Sequence, residues 1–105
     1  MLVVLTTTPN EEEANRLARG IVEERLAACV QILPKMTSIY FWEGKVQTEP
    51  EHLLLIKTLE EKFGALSEFI RTNHSYDVPE IVAIDADRVS EDYLSWISSV
   101  LNGKG

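Results

Sequence analysis

Two strand-like segments joined by a two-residue turn dominate the middle of the chain. Residues 28–42 are rich in apolar and β-branched side chains, Glu43-Gly44 has the composition of a tight hairpin turn, and residues 45–57 form the returning strand. Thirteen extended residues span about 43 Å at ~3.3 Å per residue, whereas a domain of 105 residues has a diameter of roughly 34 Å. The hairpin is therefore expected to project from its own core or to bend away from it.

Proline interrupts both arms of this hairpin. Pairing directly across the turn places Pro34 opposite Leu53, and the same register places Pro50 opposite Thr37. Proline lacks the N–H that a sheet ladder requires, so it is tolerated at edges and bulges. The two prolines therefore predict bends in the hairpin.

The hairpin tip carries four apolar side chains in succession. Strand alternation puts Tyr40 and Trp42 on one face and Ile39 and Phe41 on the other. Apolar patches of this kind mark interfaces, and long edge strands invite pairing with another chain. We expect the tip to contact another subunit; the alternatives are a hairpin that curls onto its own sheet and, for Tyr40 and Trp42, the lining of a cleft.

The remaining segments alternate between strands and helices. Residues 2–8 and 81–86 are short apolar strands. Asn10 with Glu13 predicts a capping box at the start of a helix that ends near Arg25. Further along the chain, Thr58 with Glu61 predicts a second capping box.

The second helix is followed by a polar loop over residues 73–79. Ser90 is expected to cap a third helix, which Asn102 and Gly103 terminate. The element order β-α-β-β-α-β plus a terminal helix predicts an α+β, ferredoxin-like single domain over residues 1–105, with an antiparallel sheet and both crossover helices on one face. Right-handed crossovers give the strand order 4-1-3-2.

Composition excludes several classes of function. The net charge of −7 and the absence of any run of Lys or Arg argue against nucleic acid as a partner. No apolar run approaches the roughly 20 residues of a membrane span, no signal peptide is recognisable, and one cysteine cannot form an internal disulfide. We therefore expect a cytoplasmic protein.

Catalytic signatures are missing from the sequence. No nucleophile elbow, zinc-protease motif, C-x-x-C or glycine-rich phosphate loop occurs. Cys29 with His74 or His52 would be a formal nucleophile pair, but no orienting group is placed by the sequence. We expect a binding protein without an organic cofactor, and not an enzyme.

Five blocks of sequence resemble the CutA family of divalent-cation tolerance proteins. They are residues 24–30 (ERLAACV), 37–45 (TSIYFWEGK), 55–58 (LIKT), 74–81 (HSYDVPEI) and 93–96 (YLSW). The resemblance implies a cytoplasmic homotrimer, similar in architecture to PII signalling proteins, whose hairpins pair between subunits. It further implies a response to, or binding of, copper or other divalent cations. The alternative is a PII-like protein that binds a small metabolite or anion in the cleft between subunits.

Two departures from the family pattern concern the metal. Members with a proposed copper site carry a cysteine in the first strand and adjacent histidines before the last strand. Thr6, Asn73 and His74 stand at these positions, so His74 alone is kept as a candidate metal ligand, with Asp77 and Glu80 as nearby oxygen donors. The alternative for His74 is a hydrogen bond to the backbone or to a neighbouring subunit.

A cleft is predicted around Lys57. A partly buried lysine needs a carboxylate partner, and Glu80 is the candidate. Cys29 follows two alanines and is expected in the core, with the cleft as its alternative, whereas His52 is expected at an edge or interface. The candidate cleft residues are Cys29, Tyr40, Trp42, Lys57, His74, Tyr76 and Glu80.

Overall fold

Five strands, three α-helices and one 3₁₀ helix make up residues 1–103, which are the residues that the computed structural model describes. In chain order they are β1 (Leu2–Thr8), α1 (Glu11–Glu23), β2 (Cys29–Ile32), β3 (Met36–Trp42), β4 (Lys45–Thr58), the 3₁₀ helix (Glu60–Lys62), α2 (Phe63–Asn73), β5 (Val82–Asp85) and α3 (Glu91–Leu101). Residues 104–105 of the predicted domain lie outside the described part. Within that part, no helix is long and apolar enough to cross a lipid bilayer.

The strands form an antiparallel sheet in the order β2-β4-β1-β5, and β3 continues the outer arm by pairing with β4. Because β2 and β3 together are the first arm of the hairpin, this is the order 4-1-3-2 read from the opposite edge. The predicted α+β, ferredoxin-like fold is therefore confirmed.

Helices α1 and α2 cover one face of the sheet. The even-numbered residues of β1 and β4 point into this layer, because successive side chains in a strand alternate between faces. The fully buried side chains of the layer include Val4, Leu17, Ile21, Leu54, Ile56, Leu66 and Ile70. The two helices approach closely at Gly20, where an added Cβ would lie 2.8 Å from the Phe69 ring, so a larger residue would require that ring to shift.

Within the described residues 1–103, the other face of the sheet has no such cover over most of its area, and we call it the open face. It carries the odd-numbered side chains of β1 and β4 and the β5 residues Val82 and Ile84, which are 46% and 51% exposed. Helix α3 packs only at one end of the domain, where Ile97 and Leu101 are buried against Ala28. An apolar sheet face is thus left without a partner in the protomer.

The hairpin projects from the domain as its length predicted. The protomer measures 46 × 26 × 23 Å along its principal axes. At the turn, Glu43 and Gly44 both have positive φ, 50° and 80°, which is the type I′ geometry that matches the twist of a two-residue hairpin. Ile39 and Phe41 at the tip are 69% and 70% exposed.

A β-bulge separates β2 from β3. Ile32 pairs with Leu54 and Met36 pairs with Glu51, so residues 33–35 on one arm face only residues 52–53 on the other. Extending the pairing from the turn predicted that Pro34 would lie in register opposite Leu53. Pro34 lies within the bulge instead, so that pairing was wrong. The expected bend is present, and the pairing of Pro50 with Thr37 is confirmed.

Of the two capping residues predicted for the first two helices, Asn10 caps its helix and Thr58 does not. Asn10 caps α1 by accepting a hydrogen bond from the Glu13 backbone N–H at 2.8 Å. The prediction for Thr58 was wrong: Thr58 ends β4, and its hydroxyl donates to the Leu26 carbonyl at 2.7 Å. This buried backbone acceptor competes for the hydroxyl that the capping box would have used.

The remaining helix ends differ in detail from the expectation. Helix α1 stops at Glu23 because Arg25 adopts a left-handed conformation, with φ of 56°. Ser90 occupies the N-cap position of α3, but its side chain makes no capping hydrogen bond in the described part of the chain. Asn102 and the positive-φ Gly103 end α3 as predicted.

Candidate functional site

An open groove of about 320 Å³ lies between the hairpin and the loop that follows α2. It is lined by Thr7, Tyr40, Trp42, Glu51, Tyr76, Asp77, Val78 and Glu80. Tyr40, Trp42 and Glu51 share one face of the hairpin, because the cross-strand register pairs Tyr40 with Gln47 and side chains alternate along β4. The groove therefore sits at the end of the open face, next to the projecting hairpin.

Tyr76 and Glu51 form the floor of this groove. The Tyr76 hydroxyl donates to Glu51 Oε2 at 2.8 Å, and Glu51 is only 8% exposed. Burial, followed by the hydrogen bond and the negative charge of Glu51, raises the pKa of the Tyr76 phenol far above its usual value. The phenol is thus held neutral as a hydrogen-bond donor to the carboxylate.

His74 lies behind the groove, with its side chain fully buried. Its Nε2 is 2.6 Å from the Thr7 carbonyl oxygen, which can only accept, so Nε2 carries the proton. Its Nδ1 accepts from the Tyr76 backbone N–H at 3.0 Å. Both ring nitrogens are therefore engaged, and a metal ion could bind Nδ1 only if the bond to Tyr76 were broken.

Glu13 completes this network from α1. Its Oε2 accepts from the Ser75 backbone N–H at 3.0 Å and lies 3.4 Å from His74 Nδ1. Burial acts to raise the pKa of Glu13, but the hydrogen bonding to Ser75, with a smaller contribution from the charge of Arg16, outweighs it and lowers the pKa below its usual value. Glu13 thus ties the loop to the helix as an ionised group.

Four of the seven candidate cleft residues line one groove: Tyr40, Trp42, Tyr76 and Glu80. His74 supports the groove from behind without lining it. Cys29 and Lys57 lie elsewhere, as cross-strand partners near the other end of the open face.

The predicted ion pair of Lys57 with Glu80 is not formed within the protomer. Lys57 Nζ instead donates to Gln31 Oε1 at 2.8 Å and lies 5.8 Å from the centre of the Tyr93 ring. The reason is topological: Lys57 is opposite Val3 at one end of β1, whereas Glu80 lines the groove beside Thr7 at the other end.

Glu51 and Glu13 are the charged site residues that were not predicted from the sequence; Thr7 and Val78, which also line the groove, were not predicted either. Glu51 was recoverable, because the hairpin register and strand alternation place it on the same face as Tyr40. Glu13 was assigned to a capping box, where its carboxylate would bond the Asn10 backbone. Its contact with Ser75 is 62 residues away in sequence and carries no local signal.

The positions that relate to the proposed copper ligands are structural in this protomer. Thr6 is fully buried, and its hydroxyl has no hydrogen-bond partner within residues 1–103. The Asn73 side-chain amide donates to the Phe69 carbonyl at 2.9 Å, and His52 Nδ1 lies 3.1 Å from the Leu33 carbonyl. Across residues 1–103, no three His, Cys, Asp or Glu side chains are grouped so that they could hold a metal ion.

The sequence is similar to that of known proteins over most of its length. Residues 2–100 match the family model of the CutA1 divalent ion tolerance proteins. The chain is 49% identical over 98 residues to the rice chloroplastic protein CutA 1, covering 93% of this chain and 55% of that protein. It is 50% identical over 95 residues to the divalent-cation tolerance protein CutA of Thermus thermophilus, covering 90% of this chain and 92% of that protein.

Solved structures agree with the sequence matches. The crystal structure of CutA1 from Oryza sativa superposes with a TM-score of 0.92 at 48% identity, covering 94% of this chain and 91% of that chain. The chain spans about half the length of the rice, Arabidopsis and mouse relatives that it matches. The family resemblance of the five sequence blocks is confirmed, and the chain belongs to the CutA1 divalent ion tolerance protein family.

Proposed function

We propose that this chain is the subunit of a homotrimeric divalent-cation tolerance protein whose subunits meet through the open face and the hairpin. The main support for this assembly is the exposed apolar surface of the open face. Val82 and Ile84 are half exposed there, alongside the partly exposed Val3, Leu5 and Leu55. A second copy of the sheet would remove this apolar surface from water, which favours association.

The hairpin supports the same assembly. Its tip reaches away from the protomer core, and Ile39, Phe41 and Val46 share one exposed face of it, because Phe41 pairs with Val46. A long arm with an apolar tip is suited to lie across a neighbouring subunit. A closed ring of three such arms leaves no tip exposed to water.

The role that we propose is non-catalytic. Cys29 lies at the Lys57 end of the open face, whereas the His74 ring is buried near Thr7 at the other end of β1. His52 is bonded to the backbone of Leu33. These side chains therefore do not form a nucleophile and base pair within the protomer, since such a pair needs hydrogen-bond contact.

Native mass spectrometry tests the assembly. The wild-type protein is expected as a trimer, and Ile84→Glu is expected to dissociate, because a charge buried between apolar sheets has no partner. Ala65→Glu, at an exposed position of α2 on the opposite layer, is the matched control and stays trimeric. A monomeric wild type, or an Ile84→Glu protein that remains a trimer with unchanged circular dichroism, would contradict the proposed interface.

Calorimetric titration with Cu²⁺ tests direct metal binding at His74. Because both nitrogens of the ring are in hydrogen bonds, we expect weak binding that is the same in wild type and His74→Gln. The net charge of −7 then attracts cations through dispersed surface carboxylates. Tight, saturable binding that is lost in His74→Gln would instead establish a metal centre at this residue.

A further inference from the structure

We propose that Asn102 is a site of spontaneous covalent modification, where the side-chain amide at the end of α3 is lost and aspartate or isoaspartate is formed. The site is the Asn102-Gly103 pair, which directly follows the last helical residue, Leu101, and is exposed to solvent. The folded end of α3 sets the rate of this reaction. The inference concerns the chemistry of the chain itself and goes beyond divalent-cation tolerance.

The sequence distinguishes Asn102 from the other three asparagines of the chain. Asn10, Asn15 and Asn73 are followed by Glu, Arg and His. Asn102 is followed by Gly103, which has no Cβ to screen its backbone nitrogen and whose backbone rotates more freely than that of other residues. The Gly103 nitrogen is therefore the backbone nitrogen best able to reach the side chain of a preceding asparagine.

The reaction is intramolecular, so proximity favours it, and its only co-reactant is water. The Gly103 backbone nitrogen attacks Cγ of Asn102, and a new C–N bond forms while the bond from Cγ to the side-chain nitrogen breaks. The departing nitrogen takes up the proton that the Gly103 nitrogen loses and leaves as ammonia. Water then breaks one of the two C–N bonds of the five-membered imide ring, which gives aspartate or isoaspartate.

The end of α3 holds the two reacting groups apart. Asn102 has ψ of 14°, which turns the Gly103 nitrogen toward the Asn102 backbone nitrogen and not toward the side chain. The Asn102 N–H donates to the Ser98 carbonyl at 2.9 Å, and the Gly103 N–H donates to the Val100 carbonyl at 3.3 Å. Both bonds belong to the last turn of a helix, where local opening costs least. The reaction therefore proceeds when this turn opens.

Arg25 holds the same turn from the loop that follows α1. One guanidinium nitrogen donates to the Val100 carbonyl at 2.9 Å, so Arg25 shares this acceptor with the Gly103 N–H. Helix α1 covers the face of the sheet opposite the open face. Asn102 therefore lies outside the open face and the hairpin, which are the surfaces that we assign to subunit contacts.

Both products weaken the helix end that restrained their formation. A carboxylate at residue 102 stands at the negative end of the α3 dipole, where negative charge is unfavourable. Isoaspartate also lengthens the main chain by one methylene group, so the capping geometry of Asn102 and Gly103 cannot be kept. The modification thus loosens the last turn of α3.

Peptide mapping by mass spectrometry measures the reaction in the native, full-length protein. The protein is incubated in mildly alkaline buffer, and samples taken over time are digested with trypsin. The peptide over residues 89–104 contains no Asn or Gln other than Asn102, so a gain of about 1 Da reports on this site alone. We expect this peptide to gain the mass as two chromatographic species, while the peptides that carry Asn10, Asn15 and Asn73 stay unchanged.

Two comparisons test the control by the helix end. A synthetic peptide with the sequence of residues 97–105 lacks the folded contacts and is expected to react at least about tenfold faster than the protein. Arg25→Gln removes one hydrogen bond from the last turn and is expected to react about threefold to tenfold faster than wild type. Arg19→Gln makes the same change of charge at an exposed position of α1 and should keep the wild-type rate.

The incubation continues until the synthetic peptide has converted, so each outcome is informative. An unmodified peptide 89–104 from the protein at that time would overturn Asn102 as the site. Equal rates in the protein and the synthetic peptide, or in wild type and Arg25→Gln, would overturn the control by the end of α3. Native mass on the same samples shows whether the assembly is intact, so failure of this proposal is distinguished from failure of the trimer.

Discussion

At Glu13 a single buried carboxylate joins the first helix to the loop that carries His74 and Tyr76. It accepts the Ser75 backbone N–H, lies beside His74, and His74 in turn donates to the Thr7 carbonyl. The loop is therefore held against α1 by an ionised carboxylate and against β1 by the His74 ring. The shape of the groove depends on the same contacts, because Tyr76 and Glu80 belong to this loop and line the groove.

Replacing Glu13 by Gln is expected to destabilise the protein by about 1–3 kcal/mol at neutral pH, since the Ser75 N–H loses a charged acceptor. The folded-state pKa of Glu13 lies below its usual value of 4.5. The stabilisation is thus complete above pH 4.5 and is lost as pH falls through the folded-state pKa. Denaturant unfolding at fixed protein concentration should show the two proteins converging at low pH.

The control for this experiment is Glu12→Gln, at an exposed position of the same helix turn. It should change the unfolding free energy by no more than about 0.5 kcal/mol. An equal loss in both variants, or a difference between wild type and Glu13→Gln that persists undiminished in acid, would show that the carboxylate charge does not hold the loop.

For Tyr76 we predict the opposite pH dependence of stability, with the loss at alkaline pH. Its folded-state pKa is raised above 10.0, first by burial and then by Glu51, so its phenol should stay protonated when an ordinary tyrosine ionises. The stability that depends on the neutral phenol is complete below pH 10 and is lost as pH rises through the folded-state pKa. In absorbance titrations of tyrosinate, wild type and Tyr76→Phe should coincide through pH 10 and diverge only above it; divergence beginning below pH 10 would contradict the buried hydrogen bond.

Local rules explain why some site residues could be predicted and others could not. Strand alternation fixes the faces of Tyr40 and Trp42, so their common orientation followed from the sequence. The partner of Lys57 could not be predicted, because its distance from Glu80 depends on how β1 aligns the two ends of the sheet. Sequence spacing carries no information about that alignment.

Among the elements, the hairpin also combines features that were predictable from the sequence with features that were not. Its turn and the register next to it were predictable, because a two-residue hairpin loop requires left-handed geometry at both positions and Gly44 adopts it without strain. The bulge at residues 33–35 was only partly predictable. Pro34 signalled an interruption, but the side of the ladder that gains the extra residue depends on packing against β4.

The turn can be tested with two glycines in contrasting positions. Gly44 has φ of 80°, so Gly44→Ala is expected to destabilise the protein by about 1 kcal/mol. Gly64 lies in α2 with open space around an added Cβ, so Gly64→Ala should stabilise it by about 0.5–1 kcal/mol. Thermal unfolding at a single protein concentration measures both, and a Gly44→Ala protein as stable as wild type would argue against the type I′ turn.

For the whole molecule, the elongated shape and the open face predict that stability against unfolding depends on the protein concentration. If subunits cover the apolar surface, dilution should lower the unfolding midpoint, because association stabilises only the folded state. The general architecture was predictable from element order, whereas the extent of the uncovered sheet required the position of α3 at the end of the domain.

A double variant, Ile39→Ser with Phe41→Ser, tests the contribution of the hairpin tip. Both side chains are exposed in the protomer, so the fold should persist, while the assembly should dissociate at a higher protein concentration than wild type. Light scattering after size-exclusion chromatography over a dilution series measures this. Val22→Ser, an exposed apolar position on α1, is the control, and identical behaviour of all three proteins would remove the tip from the interface.

The bulge changes which residues of the first hairpin arm face the helices. Even-numbered residues of β2 face the helices, but in β3 the odd-numbered residues do, because three residues on one arm are matched by two on the other. Losing one residue from 33–35 would leave two residues opposite two, so the ladder would run without interruption while Ile39 and Phe41 kept their pairing with Thr48 and Val46. A single-residue deletion here should therefore straighten the arm and leave both faces of the tip unchanged: the bulge sets the direction of the hairpin and not the orientation of its side chains.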